Sequence, residues 1–255
     1  MARRGQDSSD KLHNRRKQAL KAQDFKSKKK DKSKVPDIII SCEDSVSAPA
    51  YFRNIVKNLI KEKKITQDSF VIVPSEILSG TNPSKVLERL KKYEDRNGKT
   101  YKDFQHKWIV IDRDVERVNG GGHTTEDFNV AINNAKSTKQ NLNIEVAYSN
   151  DSFELWYLLH FNYITTGILR DDINTKLIKK LKEKNPYKFS KLNKKNIKQD
   201  NYVKYIFEEL LEFQEDAIKN AERLLESYGN QHSPEKDNPS TTIHKLVVIL
   251  KTLNQ

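Results

Sequence analysis

HKWIVIDRDVE, residues 106–116, places four apolar residues (Trp108, Ile109, Val110, Ile111) directly before an acidic exit, Asp112-Arg113-Asp114-Val115-Glu116. A short apolar run bounded by charge predicts a strand. Working outward, VPDIIISC (35–42) predicts an earlier strand behind Pro36, apolar enough to be buried on both faces. SFVIVP (69–74) predicts another, ended by its proline, and LNIEVAYS (142–149) a fourth. Helical patterns separate them. Residues 50–62 repeat Tyr51, Ile55, Val56, Leu59 and Ile60 on one face, and Asn82-Pro83-Ser84 opens a helix over 84–95. The glycine cluster at 119–122 reads as a flexible connection, and Thr124 begins a helix to about residue 137. SFELWYLLHF (152–161) reads as a buried helix. Strand and helix alternating four times predict an α/β core with a mostly parallel sheet flanked by helices.

Beyond residue 162 the chain turns Lys- and Asn-rich, with long amphipathic segments at 172–184 and 202–228 and one late strand candidate, LVVIL (246–250). The expected organisation is a basic N-terminal arm at 1–34, a core at 35–161, and a helical C-terminal region at 162–255 packing on it.

The 255 residues suffice to bury a core; 35% are hydrophobic and 32% charged, so the surface is heavily ionised. A single cysteine, Cys42, excludes a disulfide framework and a zinc site built from thiolates of one chain. No apolar run approaches the ~20 residues of a membrane span, and the N-terminus lacks a signal-like apolar stretch, so a cytoplasmic protein with no membrane partner is expected. Of the net charge of +12, residues 1–34 hold 13 Lys and Arg against 4 Asp, which leaves only +3 for the remaining 221 residues. Such an arm cannot fold alone. It reads either as a solubilising terminus or as a grip on a nucleic-acid backbone, an attraction that is electrostatic and salt-dependent.

In parallel sheets chemistry gathers at the carboxyl ends of the strands. Glu43 follows the first strand there, and Asp112 and Asp114 follow the third. Residues i and i+2 of extended chain point the same way, so the two aspartates present their carboxylates together. Their repulsion in a half-buried crevice is costly unless a cation lies between them, and hard oxygen donors favour Mg²⁺ or Mn²⁺. A haloacid-dehalogenase-type phosphatase fits poorly, because its nucleophilic Asp belongs after the first strand and Glu116 stands where Thr or Val is needed. A metal-dependent glycosyltransferase also uses Asp-x-Asp. A glutamate after strand one with Asp-x-Asp after strand three resembles the Toprim arrangement of topoisomerases, primases and several nucleases.

IIISCEDSVSAPAYF, WIVIDRDVE, VAYSNDSFELWYLLHF and NPSTTIHKLV, taken in order, resemble the RloB family over about residues 36–250. Two departures stand out: Asp44 where the family has glycine after Cys-Glu, and Asp151-Ser152 where a Pro-Cys-like pair follows the asparagine. The resemblance implies a Toprim-like, Mg²⁺- or Mn²⁺-dependent nuclease acting on RNA (tRNA included) or DNA in anti-phage defence or abortive infection, beside an AAA-type ATPase partner. Glu43, Asp112 and Asp114 are then the catalytic and metal set, with Glu116 and Glu154 as further metal ligands. Asn150, Asp151, His160, Ser240 and His244 are expected at the substrate or just behind it. Each has a plainer reading: Asn150 or Asp151 as a helix cap, His160 as a hydrogen-bonded core histidine, and Ser240 with His244 as a helix start. The alternatives are a nucleic-acid-binding partner that does not cut, and a transferase using Mg-nucleotide. Self-assembly is left open.

Overall fold

The computed structural model describes residues 37–77, 82–116, 121–137 and 142–253. The basic stretch 1–34 and part of the glycine cluster lie outside the described residues. The order is β1 (Ile38–Cys42), α1 (Ser47–Lys61), β2 (Phe70–Ile72), α2 (Pro83–Lys91), β3 (His106–Asp112), α3 (Thr125–Ala135), β4 (Glu145–Asn150) and α4 (Glu154–Leu159). There follow α5 (Arg170–Lys184), α6 (Pro186–Phe189), α7 (Asp200–Leu210), α8 (Gln214–Ser227), β5 (Ser240–Thr241) and α9 (Ile243–Thr252).

The sheet runs β2-β1-β3-β4-β5, with the first four strands parallel and β5 antiparallel to β4. All five residues of β1 are buried, as the apolar run requires of a strand covered on both faces. Ile39, Ile109, Ile111, Val146 and Tyr148 meet α2 and α3 through Val86, Leu90, Phe128 and Ala131. Elsewhere in the core, rings from α1 (Tyr51, Phe52), α4 (Trp156, Tyr157) and α7 (Phe207) pack edge-on or tilted around Tyr51.

Local chemistry sets the helix starts. Asn82 caps α2 by accepting the Lys85 N–H at 2.9 Å, with Pro83 in the first turn where its missing donor costs little. Thr124 caps α3 through the Asp127 N–H at 3.1 Å. Helix α1 begins at Ser47, three residues before the apolar repeat, because the Asp44 carboxylate accepts the Ala48 N–H at 3.0 Å.

Two expectations change. LVVIL is not a strand but the body of α9, apolar because Leu246, Val247 and Leu250 are all buried. The late strand is instead Ser240–Thr241, paired with Asn150 and Ser149 of β4. The amphipathic stretch 202–228 is split into α7 and α8 by a tight turn at Leu211–Phe213. Among the described residues no helix is long and apolar enough to cross a membrane.

Candidate functional site

The strand order reverses direction between β1 and β3, so the loops leaving these two strands diverge and open a crevice at their carboxyl ends. Glu43 and Asp112 meet there. The Glu43 N–H donates to the Val110 carbonyl at 2.8 Å, extending the β1–β3 ladder by one residue. In return the Asp112 N–H donates to the Glu43 carboxylate at 3.0 Å. His123 closes the floor: its Nε2–H donates to the Asp112 carbonyl at 2.9 Å and lies 3.5 Å from Glu43 Oε1.

The Asp-x-Asp turn is held from behind. Asp114 has φ +32°, outside ordinary strand geometry, and its carbonyl accepts the His123 N–H at 3.0 Å. Gly122 makes this return possible. It has φ +81°, and a Cβ there would come within 2.6 Å of the Asp114 carbonyl oxygen. Asp151 fixes the other side, accepting the Val115 N–H at 2.8 Å on one oxygen and the Arg170 N–H at 3.0 Å on the other. Arg113 points away from the crevice and ties the loop to α3 through the His123 carbonyl and the Thr125 hydroxyl.

Two cations reach this rim from the helical part of the chain. The Arg170 guanidinium spans the aspartates, at 3.0 Å from Asp112 and 3.3 Å from Asp114. Lys198 spans Asp44 at 2.7 Å and Glu154 at 3.3 Å. Glu154 is 2% exposed and also accepts the Ser47 hydroxyl at 2.9 Å.

Burial pushes the Glu43 carboxyl well above the usual range, and the charge of Asp112 adds to this, against the Asp112 N–H. Burial raises Asp112 too, opposed by Arg170 and reinforced by Glu154 and Asp44. Glu154 goes the other way: burial alone would raise it, but Lys198, Arg170 and the Ser47 hydroxyl together hold it below its ordinary value. Opposite charges about 4 Å apart attract by about 4 kcal/mol at an effective dielectric of about 20. The rim therefore depends on positive charge, and any ion that replaces Arg170 must supply it.

The donors suit a hard divalent ion in kind. They are carboxylate oxygens, and burial pushes the adjacent Cys42 thiol up, toward its protonated form. They are not gathered for one: among the described residues no group of three or more His, Cys, Asp or Glu is placed to hold a metal. Glu43 is turned onto a backbone N–H, while Asp112 and Asp114 are turned onto Arg170.

The other expected residues separate into near and far. Glu116 is exposed beside a cavity of about 190 Å³ bordered by Val115, Asp151, Leu169, Arg170 and Asp171. Asn150 and Ser240 face each other across the β4–β5 pair, their side chains bonded to the Pro234 and Asp237 carbonyls. His160 lies in the core, donating from Nδ1 to the Trp156 carbonyl at 2.8 Å and accepting the Tyr51 hydroxyl at 3.3 Å. His244 borders a separate cavity of about 680 Å³ with Trp108 and Glu145, residues of the opposite half of their strands from Asp112 and Asn150. The reading of the sequence missed His123, Arg170 and Lys198. Asp44, noted there only as standing in place of a glycine, proves to be both the Lys198 partner and a support for α1.

Comparison with curated proteins and with solved structures returns no match. The model of the family described as RloB-like protein does match, over residues 38–250. That span takes in the sheet, the rim, Arg170 and Lys198, and the chain belongs to the RloB-like family.

Proposed function

We propose that the protein is a divalent-metal-dependent nuclease of Toprim type, hydrolysing phosphodiester bonds of RNA or DNA as the effector of a bacterial anti-phage system. The supporting observation is the meeting of Glu43 with Asp112 and Asp114 at the switch point of a parallel sheet. Family membership supports a nuclease-type role in phage defence, and an AAA-type ATPase partner enters the proposal through the family alone.

In this reading Asp112, Asp114 and Glu43 hold Mg²⁺ or Mn²⁺, with Glu154 and Glu116 as outlying carboxylates. A bound ion stabilises negative charge on the phosphodiester and acidifies water. The protein's own residues do the rest. Glu43, beside the Asp112 backbone, takes or returns the proton moved in hydrolysis. Asp151 and Gly122 keep the Asp-x-Asp turn in place, and His123 holds the Asp112 carbonyl. The basic stretch 1–34 grips backbone phosphate.

The test is incubation with total RNA and with plasmid DNA, with Mg²⁺ or Mn²⁺ and with chelator. Ion-dependent cutting that disappears in a folded Asp112→Asn variant is the expected result. Cutting that survives in this variant or in chelator overturns the proposal. Salt-dependent binding with no cutting favours the non-cleaving partner instead.

A further inference from the structure

We propose that Arg170 is an exchangeable counter-ion: its guanidinium holds the Asp112–Asp114 pair in the metal-free protein and gives way when a divalent ion enters. This rests on the metal-dependent reading above and adds to it the residue that governs loading of the site.

Four observations carry it. The guanidinium does not clamp one carboxylate with both nitrogens, as a structural ion pair does at its strongest. It puts one nitrogen on each aspartate, at 3.0 and 3.3 Å, which is the bridging position of an ion shared by the pair. Its backbone is pinned while its side chain is less so. The Arg170 N–H is fixed on Asp151, whereas the side chain is 28% exposed and its Nε, though buried, makes no hydrogen bond that would hold the guanidinium in place. There is somewhere to go, because Arg170 borders the cavity of about 190 Å³ between Val115, Glu116 and Leu169. Finally, Asp112 and Asp114 are only 7% and 8% exposed, so when the guanidinium leaves the pair must meet another cation or take up a proton.

Asp151 is then the pivot of the exchange. It holds the Asp-x-Asp turn and the Arg170 backbone at once, so the side chain swings while both anchor points stay. Glu116, exposed on the rim of the same cavity, is placed to receive the displaced guanidinium. Metal affinity in the wild type is consequently the intrinsic affinity multiplied by the fraction of molecules in which Arg170 has already left the carboxylates.

Calorimetric titration of the full-length wild type and of Arg170→Met with Mn²⁺ tests the exchange, alongside thermal melts in chelator and in saturating Mn²⁺. Arg170→Met is expected to bind Mn²⁺ about tenfold more tightly, to melt lower than wild type in chelator, and to gain more from the ion. Equal or weaker binding by a folded Arg170→Met overturns the proposal. A readout on the wild type stands even where that variant fails to fold. The Arg170 Nε–H signal in nuclear magnetic resonance, assigned with Arg170→Lys, is expected to move on addition of Mg²⁺. If Mg²⁺ binds while that signal stays in place, the exchange is wrong and the nuclease reading survives. If neither protein binds either ion, the metal-dependent reading itself falls, and this inference with it.

Discussion

The carboxylates of the rim come from residues 43–154, and the two cations described against them, Arg170 and Lys198, come from the helical stretch that follows. One half of the chain is a strand–helix alternation that builds a crevice and fills it with acid. The other half, among the described residues, holds no strand but β5, and it supplies Arg170 and Lys198. The difference teaches that the helical stretch is no mere appendage. Without it, Asp112 and Glu154 would lose the cations they now touch, Arg170 and Lys198.

The largest expected effect comes from removing an acid. Glu43→Gln keeps the side chain's shape and its acceptor for the Asp112 N–H but abolishes proton transfer. Cleavage is expected to fall by about 10³-fold, as loss of a general acid–base does, with little change in melting temperature. A folded variant cutting at more than a tenth of the wild-type rate would take Glu43 out of the chemistry.

A second test concerns the seam between the halves, which is neutral where the rim is ionic. Gln214 of α8 donates to the Tyr51 hydroxyl at 3.2 Å, and that hydroxyl donates to His160. Burial lowers the His160 pKa to about 4, against its bonds with Trp156 and Tyr157. The unfolded chain therefore takes up a proton near its ordinary value of 6.5, while the folded chain does not until about pH 4. Stability from this residue is complete above pH 6.5 and is lost as pH falls toward 4, by about 3 kcal/mol. Urea melts across that window should show a shallower acid loss in His160→Gln than in wild type; parallel curves would mean His160 titrates alike in the folded and unfolded chain. His244, also lowered to about 4 by burial, adds a limb of the same sign in both proteins.

The smallest expected effect is Gly122→Ala. The added Cβ would sit 2.5 Å from the Val115 carbonyl oxygen, in a backbone conformation alanine resists, at a cost of about 1–2 kcal/mol. Because the strain falls on the Asp-x-Asp turn, cleavage should suffer more than stability. Loss of stability with full activity would separate the turn from the site.

Much of this was readable in the sequence. β1, β3 and β4 announce themselves as apolar runs, and Glu43 and Asp112 lie at their ends because alternation in parallel strands fixes which edge is which. The cations were not readable, for a physical reason. Arg170 meets Asp112 across 58 residues and Lys198 meets Asp44 across 154, and no periodicity marks one lysine among the many of residues 176–204. β5 was missed because two residues, Ser240 and Thr241, bury hydroxyls rather than an apolar face: they bond to the Asp237 and Tyr148 carbonyls. LVVIL misled because Val248, on the exposed side of its helix, is apolar too, so the run carries no polar residue to reveal its period.

The margins of the sheet carry a last consequence. One border is β2, three residues long, and the other is β5, two residues long. Neither offers a row of free backbone groups long enough to template a neighbouring molecule, which is how strands at the border guard against runaway polymerisation. If copies of this protein gather on nucleic acid, these two sheet borders would not be what joins them, so such an assembly would not grow by strand addition there.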